Sequence, residues 1–217
     1  MNQQVKYPFA QAAKAADYIL QLLKPHCNRI HIAGSIRRLR PDVKDIEIVC
    51  EPKKEFLQNG LFQDQGNWHT SKDFTEALMT ISDLVLMGNV NGRYMKIRTN
   101  SKLCPGITLD LFMPQPDDYY RQYAIRTGSA EYAHNVIAAA WKRRGWAGVK
   151  DIGLRQISQC IAKIDGAGKG VYILNPQITN PEKPPVWNSE MELFSWLGLT
   201  YTDPEHRELN NHVNIAQ

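Results

Sequence analysis

Two β-branched stretches carry acids where a strand bound for the core normally carries none. "DIEIVC" places Asp45 and Glu47 two residues apart, and "ITLDLFM" holds Asp110 between two leucines. Side chains of a strand alternate between faces, so Asp45 and Glu47 point one way while Ile46 and Ile48 point the other. The fold must therefore bury one face of these strands and furnish the other with something cationic, because an unpaired carboxylate in an apolar setting is costly. The bland alternative is that the two acids form the outward face of an edge strand. A divalent cation bound through hard oxygen ligands would satisfy both acids, and Asp110 on a neighbouring strand would add a third ligand and make a two-metal site.

The rest of the chain supports a sheet with helices around it. Phe9, Ala13, Ala16, Leu20 and Leu23 recur at the spacing of an amphipathic helix over 9–23, which Pro25 closes. Short strands are expected at 29–33 and 45–50, and again at 107–113. "DLVLMG" and "RYMKIR" flank Asn91-Gly92, a dipeptide favoured where a tight hairpin turn needs positive φ. After Pro114 the texture changes. Two helices are predicted over 116–128 and 129–145, parted at Thr127-Gly128, with Ser129 capping the second and Gly145 ending it. β-rich pieces around "VYILN" follow, then the proline-dense loop 175–188 and a last helix opened by the capping box Ser189-x-x-Glu192. This predicts a helical segment at 1–24, a mixed-sheet domain at 25–115 and a smaller α/β domain at 116–217.

Bulk properties exclude more than they select. Apolar residues make up 43% of 217, enough for a proper core, and no apolar run approaches the roughly 18 to 20 residues of a membrane span. The N-terminus lacks the order of a secretory signal, so the expectation is a soluble intracellular protein, cytoplasmic, nucleoid or viral, that is not secreted. Cys27, Cys50, Cys104 and Cys160 form no CxxC pair, which points to buried free thiols. A net charge of +4 is compatible with a polyanionic partner without requiring one.

The turn before Asp45 sharpens the reading. In "AGSIRR" a glycine follows a strand, lets the backbone approach an anion, and is followed by a serine hydroxyl that can hold phosphate oxygens. Arg37, Arg38 and Arg40 add guanidinium groups suited to phosphate. Alone, Gly-Ser with arginines is an ordinary strand-to-helix turn. Followed eleven residues after Gly34 by paired acids, it is far more specific.

Taken together these residues resemble the nucleotidyltransferase superfamily and, more narrowly, the family X DNA polymerases. "AGSIRR" with Asp45, "ITLDLFMP" with Asp110, and Thr127-Gly128-Ser129 seventeen residues beyond Asp110 occur in the family's order, and "SEMELFSWLGLTYTDPEHREL" resembles its C-terminal motif. The resemblance covers residues 7 to 209. It implies an α+β fold, a polymerase beta-like palm with a mixed sheet and a smaller α/β thumb, in a minimal form without lyase chemistry. It implies that Asp45, Glu47 and Asp110 are catalytic and hold two Mg²⁺ ions, with Mn²⁺ as a substitute. Gly34, Ser35 and Arg38 would bind the β and γ phosphates, and Arg37 would pair with an acid. Thr127, Gly128 and Ser129 would border the nucleotide's sugar and base, across a cis Gly-Ser bond.

The implied activity is DNA-directed DNA synthesis by a monomer on primer-template or gapped DNA, with a nucleoside triphosphate as substrate, as in gap-filling repair or replication. Two metal ions would activate the primer 3′-hydroxyl and grip the triphosphate, with Asp110 helping to accept the hydroxyl proton. Thumb contacts to DNA would come from Lys142, Arg143 and Arg144, from 150–155, and from His134; a solvated helix end explains the basic run equally well. Glu47 stands where most family members carry Asp. Ile125-Arg126 replace the aromatics that test the sugar, and Ala133 replaces a base-contacting Asn. These departures leave sugar preference open and suggest one rival, a template-independent or small-molecule nucleotidyltransferase; a second, a silent nucleic-acid-binding module, is opposed by the presence of all three acids.

Overall fold

The computed structural model describes residues 5–58 and 66–208, and the chain divides into two compact units, Met1–Pro114 and Gln115–Gln217. The protein is of the α+β class. In chain order the first unit contains β1 (Tyr7–Pro8), α1 (Phe9–Leu23), β2 (Cys27–Ile32), α2 (Gly34–Arg37), β3 (Asp42–Val43) and β4 (Asp45–Pro52). It continues with β5 (Lys54–Gln58), β6 (Gly66–Thr70), α3 (Lys72–Thr80), β7 (Ser82–Gly88), β8 (Tyr94–Thr99) and β9 (Thr108–Phe112). Five strands form one sheet in the order β2-β4-β9-β8-β7, in which β4 and β9 run parallel and the other neighbours antiparallel.

One face of this sheet makes the core. Ile46, Ile48, Met95, Ile97, Leu109 and Leu111 are all buried in one cluster with α1 and α3. Each such side chain contributes roughly 1.5–3 kcal/mol relative to exposure. Helix α1 covers the predicted residues, but its buried stripe is Ala12, Ala15, Ala16, Ile19 and Leu23, while Leu20 is only half-buried. The small alanines let the helix lie close to the sheet, and α1 is thereby part of the first unit's core rather than a separate leading segment.

The hairpin between β7 and β8 departs from expectation. Neither Asn91 nor Gly92 has positive φ; that conformation falls to Gly88, at φ +72°. The reason is a longer loop that is pinned elsewhere: Asn91 Oδ1 accepts from the Thr70 amide at 2.8 Å, Thr70 Oγ1 donates to the Val90 carbonyl at 2.7 Å, and Asn89 Oδ1 accepts from the Asn91 amide at 3.0 Å. These side-chain bonds replace the two-residue turn that Asn-Gly favours.

The second unit contains α4 (Tyr119–Thr127), then a continuous helical run made of α5 (Ala130–Tyr132), a π-helical segment (Ala133–Ala138) and α6 (Ala139–Arg143). Ser129 caps this run by accepting from the Tyr132 amide at 3.1 Å, and Gly145 leaves it at φ +80°. Strands β10 (Trp146–Val149), β11 (Gly153–Gln156), β12 (Cys160–Ile164) and β13 (Gly170–Leu174) form a sheet ordered β11-β10-β13-β12, and α7 (Glu190–Leu197) follows the proline-rich loop. At the predicted capping box Ser189 Oγ accepts from the Glu192 amide at 3.1 Å, but Glu192 Oε2 reaches one residue further back, to the Asn188 amide at 2.8 Å. The cysteines are free; three are buried, and Cys160 is only half-buried. Leu209, the last residue of the C-terminal motif, lies outside the described residues. Among the described residues no helix is long and apolar enough to cross a membrane.

Candidate active site

The parallel register of β4 and β9 decides where the acids lie. Glu47 pairs directly with Asp110, and Asp45 sits two residues before Glu47 on the same strand. All three therefore share the face of the sheet opposite the Ile46, Ile48, Leu109 and Leu111 core. On β8 the same alternation puts Tyr94 and Lys96 on this face, since Lys96 pairs directly with Asp110.

Glycine is required at position 34. Gly34 adopts φ +61°, and a Cβ there would lie 1.9 Å from Glu47 Oε2. The turn after β2 thus brings its backbone onto the Glu47 carboxylate, and the Ala33 amide donates to the Glu47 carbonyl at 2.8 Å. Immediately after Gly34, the Ser35 hydroxyl is buried and makes no hydrogen bond within the described protein. A buried hydroxyl without a partner is a group prepared for a ligand or a water. Ser35 lies in the wall of a cleft of roughly 360 Å³ together with Arg38, Arg40, Lys44, Asp45 and Glu47. Lys6, Pro41 and Asp42 complete the lining. Four cations and three acids in one cleft make a surface suited to an anion that arrives with a cation of its own.

The three carboxylates share a face but are not drawn into one ready ligand set. Among the described residues no three His, Cys, Asp or Glu side chains are gathered closely enough to hold a metal ion. Two of the three have close neighbours of their own. Glu47 leans against Gly34. Asp110, 7% exposed, accepts from Lys96 Nζ at 2.8 Å through Oδ2 and at 3.2 Å through Oδ1, and also accepts from the Tyr94 hydroxyl. The donor chemistry nonetheless fits a hard divalent cation: three carboxylates on one face beside an unpartnered hydroxyl.

Asp45 is the strained member. Burial, and then the negative charge of Asp110, raise its carboxyl above the ordinary carboxylate range, against the pull of Lys96, Lys44 and Arg38. In the window between the ordinary value and this raised one the folded protein binds more protons than the unfolded chain, so stability falls as pH rises through it. Below that window both states are protonated and the cost vanishes. Asp45→Asn is therefore expected to raise the unfolding midpoint at pH 7 to 8 in metal-free buffer. That gain should disappear on acidification below about pH 4, near the carboxylate reference value, as read by thermal denaturation across pH.

The remaining expected residues fall in the second unit. Thr127 is fully buried, Gly128 is the C-cap of α4, and Ser129 is the cap described above. The Gly128–Ser129 bond is trans, which corrects the expected cis bond. A trans amide here lets the Ser129 N–H donate to the Arg207 carbonyl at 3.0 Å, while Gly128, whose added Cβ would meet Tyr132 Cδ1 at 2.8 Å, is packed against that ring. His134 is exposed on the π-helical segment, and Lys142, Arg143 and Arg144 are exposed at the end of α6. Arg144 is not simply solvated: its guanidinium lies 5.0 Å from the Trp196 ring centre.

Sequence reasoning missed Tyr94 and Lys96, the partners of Asp110. Their signal was present in the alternation of "RYMKIR", where Met95 and Ile97 take the core and Tyr94 and Lys96 must take the acid face. No protein-family model matches the chain, and no curated protein matches it.

Proposed function

We propose that the chain is a nucleotidyltransferase of the family X DNA polymerase kind, joining a nucleotide to a primer 3′-hydroxyl with release of pyrophosphate. The observation that carries this reading is the β4–β9 register, which sets Asp45, Glu47 and Asp110 on one face of the sheet, with Asp45 and Glu47 in the wall of the cleft that holds Ser35 and Arg38. Neutral or apolar residues would have satisfied the fold at these positions more cheaply. A polymerase beta-like palm is the fold this arrangement supports.

In this reading Asp45, Glu47 and Asp110 would hold Mg²⁺ or Mn²⁺, which when bound supplies charge neutralisation of the triphosphate and a more acidic hydroxyl. Ser35 and Arg38 would hold the β and γ phosphates, the hydroxyl as a short donor and the guanidinium as a fork. Gly34, where a Cβ would collide with the Glu47 carboxylate, leaves room for that side chain in the cleft wall and would let a triphosphate approach the backbone. Arg40 and Lys44 add positive charge at its rim and draw polyanions towards it. DNA would be held in a sequence-independent way, through phosphates, by exposed cations such as Lys142 and Arg143.

The test is single-nucleotide incorporation by the full chain with Mg²⁺, comparing a one-nucleotide gapped duplex with the same primer lacking a template. The proposal expects insertion that follows the templating base on the gapped duplex. Equal addition without template would replace it with a template-independent transferase, a reading that the Glu47 substitution keeps in view. No incorporation of any deoxy- or ribonucleotide with Mg²⁺ or Mn²⁺ would reject catalysis.

A further inference from the structure

The side chain that most deserves a role beyond that reading is Lys96. It is a half-buried lysine whose hydrogen bonds among the described residues go to Asp110 alone, at 2.8 and 3.2 Å. It comes from β8, directly opposite Asp110 in the register, so the pairing is set by the sheet and not by a chance surface rotamer. The Tyr94 hydroxyl, two residues earlier on the same strand and the same face, donates to Asp110 Oδ1 as well. Asp110 thus has an ammonium across both of its oxygens and a phenol on one of them. The same ammonium acts on Asp45, where it opposes the charge of Asp110. Lys96 therefore occupies the acid face of the sheet with its ammonium on Asp110.

A dication and an ammonium on the same carboxylate repel each other, and three carboxylates cannot gather while one of them is held to β8. We infer that Lys96 is a cationic placeholder: it neutralises Asp110 in the metal-free protein, competes with divalent ions for that carboxylate, and is displaced when they bind. Tyr94 serves as the hinge of this arrangement, keeping Oδ1 of Asp110 fixed while Lys96 leaves Oδ2. Lys96 is a positioning residue in this account and touches neither primer nor triphosphate. The consequence is a site that binds free metal weakly and fills when a triphosphate adds negative charge of its own. The inference rests on the nucleotidyltransferase reading for its metal, and it assigns to Lys96 a role that the reading does not require.

Lys96→Met keeps the length of the side chain and removes the charge, whereas Lys96→Arg keeps the charge. Mn²⁺ titration of the full chain without nucleotide, followed by electron paramagnetic resonance of the free ion, should show Lys96→Met binding about tenfold more tightly than the unaltered protein. Lys96→Arg should bind as the unaltered protein does. Unchanged or weaker binding in Lys96→Met would overturn the assignment, because a lysine that merely supports the fold, or one that helps to hold the metal, gives that result. Should Lys96→Met not fold, the unaltered protein supplies the second measurement: acylation of Lys96 by an amine-reactive ester, read by peptide mass spectrometry with and without Mn²⁺. Several-fold faster labelling with Mn²⁺ is expected, and labelling that stays the same or slows overturns the proposal. If the unaltered protein incorporates nucleotides while these readouts do not move, only the Lys96 role fails. If it binds no Mn²⁺ even with a nonhydrolysable triphosphate present, the nucleotidyltransferase reading fails with it.

Discussion

Asp110→Asn is expected to lower nucleotide incorporation by at least about a thousandfold, the scale at which members of a cooperating catalytic set fail singly, while leaving the fold intact. The physical reason lies in what surrounds the side chain. Asparagine fills the same space on β9 and can still accept from the Tyr94 hydroxyl, so the packing around Leu109 and Leu111 is undisturbed. The lysine left behind is not stranded, because Asp45 is within its electrostatic reach and the Lys96 side chain is 27% exposed to solvent. Removing the Asp110 charge also removes one of the two causes that raise the Asp45 carboxyl. An unfolding midpoint near that of the unaltered protein, together with lost incorporation, would separate chemistry from stability. Lost incorporation with a collapsed midpoint would assign Asp110 a structural role instead.

The second large effect concerns Arg207, and it bears on stability. Arg207 is fully buried, its Nη1 donates to Glu190 Oε1 at 2.7 Å and its Nε to the Thr202 carbonyl at 2.8 Å, and Glu190 itself is only 6% exposed. The guanidinium lies against both the Phe194 and Tyr201 rings, 4.8 and 5.3 Å from their centres, and the two rings meet each other edge-on at 5.4 Å. Removing one member of a buried pair leaves an uncompensated charge, so Arg207→Met should destabilise the second unit by about 3–5 kcal/mol. The double variant Arg207→Met with Glu190→Met, in which both charges go, should recover most of that loss. Denaturant unfolding of the full chain, followed through tryptophan fluorescence, checks both. Equal loss in the single and double variants would mean that the arginine acts through shape and ring contact alone.

The same arginine ties the C-terminal stretch to Thr127-Gly128-Ser129. The Arg207 carbonyl receives the Ser129 amide, so the last turn of the described chain fixes the start of the long helical run. The cap of a helix and a buried ion pair are tied by one backbone hydrogen bond. The sequence showed both motifs, but the bond between them joins residues seventy-eight positions apart, and no local pattern announces it.

What could be read in advance was what period and spacing encode. Helix α1 and strands β4, β8 and β9 follow directly from the placement of apolar residues, and the common face of Asp45 and Glu47 follows from alternation on a single strand. Placing Asp110 beside them needed the parallel β4–β9 pairing, which depends on tertiary structure and which the isolated acid in "LDL" only hinted at. The Asn91-Gly92 turn was misread because turn propensity is a local preference, and contacts from Thr70 outweighed it. The neutralising partners of Asp110 were overlooked because "RYMKIR" reads as an ordinary half-exposed strand until its register against β9 is known. Polar side chains become a site only when strands align them, and the alignment is the part that one sequence carries least openly.

The proposed function requires Asp45, Glu47 and Asp110 to converge on divalent metal beside a triphosphate held by Ser35 and Arg38. A crystal structure of the full chain with Mn²⁺ and a nonhydrolysable nucleoside triphosphate tests it most directly. The expected result is anomalous manganese signal within about 2.0–2.3 Å of carboxylate oxygens from all three acids, Asp110 parted from Lys96, and a phosphate oxygen on the Ser35 hydroxyl. Triphosphate bound away from the Gly34–Ser35 turn, or manganese that leaves Asp110 on Lys96 and untouched by metal, would contradict it.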